Sequence, residues 1–180
     1  RGGLKREVQA ALRTGRAVRK PQARGVRAPR FVDPMIMISD RPAVVEDRAV
    51  PGHWEGDLIL GTGNNSAIGV LVERSTRFTI LLHLPGRHDA SSVAAAMVNE
   101  MSSLPEHLRR SMTWDRGTEL AGYRDIQLDL AMPVYFCDPH SPWQRGTGEN
   151  TNRLLRHWFE KGTDLSSNTA EDLRRVAATR

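Results

Sequence analysis

Three acidic residues of this 180-residue chain lie at positions in the predicted strands and helices where a carboxylate could have a chemical role. Asp57 lies in the segment "HWEGDLIL" (53–60), which ends in an apolar run and is predicted to be a largely buried strand, where a charge is costly unless it is paired or coordinates a metal ion. Asp115 ends a short apolar stretch, and Glu149 opens a predicted helix. Mg²⁺ and Mn²⁺ prefer oxygen ligands, and two such ions about 3.5–4 Å apart can clamp the attacking and leaving oxygens of a phosphoryl displacement. The three acids are candidate ligands of a metal site that acts on a polyanion.

Each of these acids also has an ordinary explanation. Asp57 could occupy a solvated edge, Asp115 could be a turn residue, and Glu149 could be a first-turn acid favoured by the helix dipole. The chain has 21 acidic residues, so many triples are possible and each ordinary explanation is as good as the metal site. If the strand order brings the three together, the metal site becomes the better interpretation. Two further acids are the main decoys, meaning acids near the site that could be mistaken for metal ligands. They are Glu55, which shares the strand face of Asp57, and Glu119, at a predicted helix start.

The elements that must position these acids follow from periodicity and turn residues. Buried and alternating apolar runs predict five strands, at residues 53–60, 67–74, 78–84, 111–115 and 134–139. Helical spacing predicts four helices, at residues 88–104, 119–131, 149–160 and 169–180, and a loop over 139–148. Three strands joined by short turns, followed by alternating helices and strands, predict an α/β fold with a five-stranded mixed sheet flanked by helices.

Two of the predicted helices carry clear side-chain signals. Asp89 is a plausible N-cap, and the next apolar residues, at 93, 97 and 101, form a stripe typical of a core-facing helix. In the helix that begins at Glu149, we expect Leu154, Leu155 and Trp158 to supply the buried side.

The first 50 residues are predicted to be a basic, partly disordered linker. Ten Lys or Arg against one acid give residues 1–30 a charge of +9, whereas 16 basic and 20 acidic side chains give residues 31–180 a charge of −4. Glycine and proline interrupt the segment and disfavour regular structure. A basic arm on a near-neutral body is the footprint of a nucleic-acid binder, although a solubilising tail is the simpler alternative.

The composition excludes several other classes. No run of about 18 apolar residues predicts a transmembrane helix, and the basic N-terminus lacks the apolar region of a secretory signal. The single cysteine, Cys137, rules out an internal disulfide framework. The single cysteine fits a reducing cytoplasm, and with the basic arm we expect a cytoplasmic, nucleoid-associated protein.

Long motifs in a fixed order make the resemblance specific. The segments "GHWEGDLI" (52–59), "SAIGVLVERSTRF" (66–78), "TWDRGTE" (113–119) and "VYFCDPHSPWQRGTGENTNRLLR" (134–156) resemble the catalytic domain of bacterial insertion-sequence transposases of the IS-thirty family. That family belongs to the DDE transposase and retroviral integrase superfamily. The resemblance covers roughly residues 41–165 and implies an RNase H-like fold.

The resemblance also implies a chemistry. Its DDE triad carries over to Asp57, Asp115 and Glu149 as catalytic residues and as ligands of Mg²⁺ or Mn²⁺, with two ions in the active complex. It implies DNA partners, namely the terminal repeats of an insertion sequence and the target DNA, and a homo-oligomeric active complex. The domain organisation expected from it is a missing DNA-binding domain, the linker 1–50, and a C-terminally truncated catalytic core at 51–180.

Six residues around the triad are predicted to contact DNA. Asn152, Arg153 and Arg156 follow Glu149 at i+3, i+4 and i+7, so they share one helix face, with a solvated polar face as the alternative. The other three predicted contacts flank the acids in loops: Arg116, Gln144 and Arg145.

Three functions remain open at this point. The first is a DDE transposase core that hydrolyses a phosphodiester and transfers the strand. The second is a truncated or inactive copy that acts only in DNA binding or assembly. The third is a ribonuclease H-type nuclease acting on RNA–DNA hybrids, which the motif details do not support.

Overall fold

The computed structural model describes residues 35–45, 48–115, 117, 120–138, 144 and 146–179, without the side chains of Val44 and Glu149. Several predictions concern residues outside this description. They include the basic arm of residues 1–30, the loop residues 139–143, the DNA contacts Arg116 and Arg145, the side chain of Glu149 and the decoy acid Glu119.

A six-stranded mixed sheet forms the centre of the described structure. Its strands, in chain order, are β1 (Ile36–Met37), β2 (His53–Leu60), β3 (Ala67–Glu73), β4 (Thr79–Leu84), β5 (Ser111–Trp114) and β6 (Val134–Phe136). The spatial order is β1-β6-β5-β2-β3-β4. The β2-β3 and β3-β4 pairs are antiparallel, and the β2-β5, β5-β6 and β1-β6 pairs are parallel. The predicted meander and the mixed sheet are confirmed.

The predicted count of five strands is wrong by one. The additional strand, β1, lies within the segment predicted to lack regular structure, and it pairs in parallel with β6 through Ile36 and Tyr135. A two-residue strand between prolines has no periodicity of its own, so only the edge of the sheet that it joins defines it.

Four α-helices flank the sheet in the described part of the chain. They are α1 (Ala90–Met101), α2 (Tyr123–Leu130), α3 (Gly146–Leu155) and α4 (Ala170–Ala178). Single 3₁₀ turns occupy Ile38–Asp40, Ala43–Val45, Thr62–Asn64 and Glu106–Leu108. None of the helices in these residues is long and apolar enough to cross a membrane.

Helix α1 begins as predicted. The Asp89 side chain accepts a hydrogen bond from the backbone N–H of Ser92 at 2.9 Å, which caps the helix. Hydrogen bonds from Ser92 and Ser91 lower the pKa of Asp89 to about 2. The predicted apolar stripe, Val93, Met97 and Met101, is completely buried.

Helix α3 begins and ends earlier than predicted. It starts at Gly146, inside the predicted loop, and ends at Leu155, after which the chain continues in turns. The expected buried side is only partly right, because Leu155 is buried whereas Leu154 and Trp158 are exposed. Phe159, beyond the helix, supplies a further buried apolar side chain.

Two apolar cores lie on opposite faces of the sheet. The larger packs α1 and α2 against side chains such as Trp54, Met112 and Trp114. The smaller packs the opposite face of β2–β4 against Leu155, Phe159 and Leu173, from α3, the turns after it and α4. Since side chains alternate along a strand, the odd-numbered residues of β2 face the α3 side and the even-numbered residues face the α1 side.

The turn between β3 and β4 is closed by the buried carboxylate of Glu73. It accepts hydrogen bonds from the N–H groups of Gly52, Ser75 and Thr76 at 3.1, 2.9 and 2.6 Å. Burial acts to raise the pKa of Glu73, but these hydrogen bonds outweigh it and lower the pKa from 4.5.

Candidate active site

The predicted approach of Asp57 and Asp115 follows from the pairing of β2 with β5. The two strands run parallel, with Glu55 opposite Thr113. Asp57 on β2 and Asp115, directly after β5, each lie two residues beyond this pair, so the register places them side by side; neighbouring strands in sheets lie about 4.8 Å apart. Both line one open cavity of about 810 Å³.

Close contact between Gly56 and Trp114 fixes this juxtaposition. A Cβ atom at Gly56 would lie 2.0 Å from Cζ3 and 2.1 Å from Cε3 of the Trp114 ring. Trp114 is completely buried, so the ring has no free space to enter. Gly56 immediately precedes Asp57, and Trp114 immediately precedes Asp115. This packing therefore sets the relative positions of the two acids along the strand direction.

Backbone and side-chain donors orient both carboxylates. Oδ1 of Asp57 accepts from the N–H of Leu58 at 2.9 Å, and its Oδ2 accepts from Nδ2 of Asn152 at 2.8 Å. Oδ1 of Asp115 accepts from the N–H of Gly117 at 2.9 Å. Such donors fix the orientation of a carboxylate that could bind a metal ion.

Asn152 also shows which face of α3 points toward Asp57. Position 149 lies one helical turn before Asn152, on the same face. The backbone of Glu149 is therefore placed on the side of the helix that faces Asp57. Among the side chains that are described, no group of three His, Cys, Asp or Glu could hold a metal ion, and the Glu149 side chain is outside that set.

The donor chemistry at this position fits a hard divalent cation. Asp57 and Asp115 offer carboxylate oxygens at one cavity, and Oδ1 of Asn152 is buried without a hydrogen-bond partner among the described residues. Oxygen-only donors suit Mg²⁺ and Mn²⁺ rather than ions that prefer nitrogen and sulfur ligands.

Glu55, which the sequence indicated as a decoy, makes contacts that sequence reasoning missed. Its side chain is 1% exposed. Oε1 accepts from Nε of Arg74 at 3.0 Å, and Oε2 accepts from the backbone N–H of Gly148 at 2.8 Å. The only sequence signal was strand parity, which placed Glu55 on the same face as Asp57.

The predicted DNA contacts lie in different settings. Arg153 is exposed on α3, and Nη1 of the half-buried Arg156 donates to the carbonyl of Phe159 at 3.3 Å. Gln144 exchanges two hydrogen bonds with Asp138: its Nε2 donates to Oδ2, and its Oε1 accepts from the Asp138 N–H, both at 2.9 Å. Gln144 thus braces the segment after β6, and the DNA contacts of these residues and of Asn152 stay predictions.

Comparison with known proteins places the chain in a family. The model of the integrase core domain matches residues 47–142. The chain is 48% identical over 177 residues to the transposase for insertion sequence element IS1086 of Cupriavidus metallidurans, covering 98% of this chain and 52% of that protein. It is 50% identical over 141 residues to transposase InsI for insertion sequence element IS30C of Escherichia coli K12, covering 78% of this chain and 36% of that protein.

A solved structure shares the fold. One chain of the cryo-EM structure of a simian T-cell lymphotropic virus intasome in complex with PP2A regulatory subunit B56 gamma superposes with a TM-score of 0.54 at 20% sequence identity. The match covers 71% of this chain and 47% of that chain.

The mixed sheet, with Asp57 on β2 and Asp115 directly after the neighbouring strand β5, forms an RNase H-like core. The chain belongs to the integrase core domain family. It spans about half the length of the IS1086 relative and about a third of the IS30C relative.

Proposed function

We propose that this chain is the catalytic core of a DNA transposase that cuts and joins phosphodiesters at the ends of an insertion sequence. The observation that carries the proposal is that Asp57 on β2 and Asp115 directly after the parallel strand β5 line one cavity, with Asp57 hydrogen-bonded to Asn152 of α3. The proposed ligands of two Mg²⁺ or Mn²⁺ ions are Asp57, Asp115 and Glu149.

The chain's own residues would hold the site in shape. Asn152 and the Leu58 N–H orient Asp57, and the Gly117 N–H orients Asp115. When bound, the two ions would activate a water molecule or a 3′-hydroxyl group and stabilise the charge that develops at the phosphate. Such a displacement needs no covalent protein–DNA intermediate, so no Ser or Tyr nucleophile is required.

The proposed partners are the terminal repeats of the element and the target DNA. The +9 charge of residues 1–30 supports attraction to the phosphate backbone, and Arg153 is exposed on the helix that carries Glu149. Arg116, Gln144, Arg145, Asn152 and Arg156 are the further proposed DNA contacts. We propose that the protein acts as a homo-oligomer on DNA in the bacterial cytoplasm.

A supercoiled-plasmid nicking assay with Mn²⁺ tests the proposal. Wild-type protein should nick DNA only in the presence of Mn²⁺, and Asp57→Asn, Asp115→Asn and Glu149→Gln should each reduce nicking to background. Asp129→Asn is the matched control, since Asp129 is an exposed acid on α2.

Two results would contradict this function. If Asp57→Asn nicks as fast as wild type, the assignment of the site is wrong. If the wild-type chain binds DNA but neither binds Mn²⁺ nor nicks, a truncated module for DNA binding or assembly becomes the better explanation.

A further inference from the structure

A buried ion pair joins the strand of the first acid to the helix of the third. Glu55 is 1% exposed, and the side chain of its partner, Arg74, is 7% exposed. Burying two charges carries a large desolvation penalty unless good geometry and further hydrogen bonds compensate for it. Arg74 meets that condition by donating also, from Nη1, to the carbonyl of Val45. A pair retained at such cost calls for an explanation.

The second oxygen of Glu55 shows what the pair holds. Oε2 accepts the backbone N–H of Gly148, the third residue of α3, across 93 positions of sequence. The first N–H groups of a helix have no partners within it, and the positive end of the helix dipole favours an anion. Glu55 therefore caps α3 from a neighbouring strand.

The positions of the two bonded residues connect this cap to the active site. Glu55 lies two residues before Asp57 on the same face of β2, and Gly148 immediately precedes Glu149. A single carboxylate thus ties the strand that carries one proposed ligand to the first turn of the helix that carries another. The contact does not depend on residue 148 being a glycine. A Cβ atom at this position would lie 3.7 Å from Oε2 of Glu55, which is an ordinary van der Waals distance.

We propose that Glu55 is a positioning residue that sets the distance between Asp57 and Glu149, with Arg74 holding its carboxylate aimed at α3. The proposal rests on the function proposed above, because it assumes that those two acids share metal ions. Outer-shell partners of metal ligands typically change metal affinity about 10-fold to 100-fold when they are removed.

Two double variants separate positioning from simple stability. Both carry Arg74→Met, which removes the buried cation. Glu55→Gln in that background keeps an acceptor for the Gly148 N–H, whereas Glu55→Met keeps a similar volume and offers no acceptor. Neither variant leaves a buried charge unpaired, so both should fold, and thermal unfolding checks that they do.

The measurements are the exchange rate of the Gly148 amide by NMR and the Mn²⁺ affinity by isothermal titration, on the full 180-residue chain. Relative to the Gln variant, the Met variant should exchange the Gly148 amide at least about tenfold faster. It should also bind Mn²⁺ about 10-fold to 100-fold more weakly.

Equal Mn²⁺ affinity in the two variants overturns the positioning role, whether or not Gly148 exchanges faster. Weaker Mn²⁺ binding with unchanged Gly148 exchange overturns it too, since the effect then does not pass through α3. If wild type binds no Mn²⁺, or binds it unchanged after Asp57→Asn, the function proposed above fails, and the Gly148 exchange rates still decide whether Glu55 anchors the helix.

Discussion

Replacing Gly56 by Ala tests the packing that holds the two aspartates side by side. The new methyl carbon would lie 2.0 Å from Cζ3 of Trp114. Carbon atoms in favourable contact are about 3.5–4.0 Å apart, so the ring or the strand would have to move by roughly 1.5 Å. The ring is completely buried and β2 is paired on both edges, so neither can move freely.

We therefore expect Gly56→Ala to destabilise the protein at or above the upper end of the usual overpacking range of about 1–3 kcal/mol. Urea unfolding, monitored by far-ultraviolet circular dichroism, measures the change in unfolding free energy. It is obtained from the shift in the midpoint urea concentration, provided that the m-values of the two proteins agree. Gly146→Ala is the matched control, because a Cβ at Gly146 meets nothing within 4 Å. It should be neutral or stabilise by up to about 1 kcal/mol, since alanine favours a helix.

A second variant checks that the cost comes from the indole ring. Trp114→Leu removes the clashing atoms, so Gly56→Ala should cost at least about 1 kcal/mol less in that background than in wild type. A Gly56→Ala protein within about 0.5 kcal/mol of wild type would refute the reasoning. The reasoning would also be refuted if Gly56→Ala lowered the unfolding free energy equally in wild type and in the Trp114→Leu background.

Three further predictions concern carboxylates and the amide that orients one of them. Glu73→Gln should lower the unfolding free energy by about 1–3 kcal/mol at pH 7, because one of the donors to Glu73 is then left unpaired. The pKa of Glu73 is lowered from 4.5, so the contribution of its carboxylate to the unfolding free energy is complete above about pH 4.5 and is lost as the pH falls through the folded-state pKa. If urea titrations at pH 2 still show wild type more stable than Glu73→Gln by the same amount, this explanation is contradicted. Asn152→Leu removes the donor to Asp57 and should weaken Mn²⁺ binding about tenfold in isothermal titration, whereas unchanged affinity would show that this hydrogen bond does not organise the site. Asp89→Ala should lower the thermal midpoint by removing the cap of α1 and Asp89→Asn should largely preserve it, so equal midpoints for the two variants would exclude the capping role.

The central part of the fold could be predicted because its signals are local. Short turns separate the three strands of the meander, and α1 has both a capping aspartate and an apolar stripe. The neighbouring positions of Asp57 and Asp115 could be expected only on the condition that β2 and β5 are adjacent, a condition that the structure confirms.

The parts that sequence reasoning missed depend on contacts between distant residues. Prolines and glycines, among them Gly146 and Gly148, indicated a loop over 139–148, yet α3 begins at Gly146, where Glu55 from another strand accepts the Gly148 N–H. Strand β1 is too short to have a pattern, and it forms because β6 offers a free edge. Glu55 itself could not be distinguished from a solvated acid until its partners were known.

The measurement that tests the central claim most directly is a crystal structure of the chain grown with saturating Mn²⁺. Anomalous scattering then locates the ions independently of any assumption about their ligands. We predict peaks between Asp57, Asp115 and Glu149, with carboxylate oxygens at about 2.0–2.3 Å from the metal. An ordered site without a peak there, or Mn²⁺ bound only elsewhere on the protein, would contradict the assignment of these three acids.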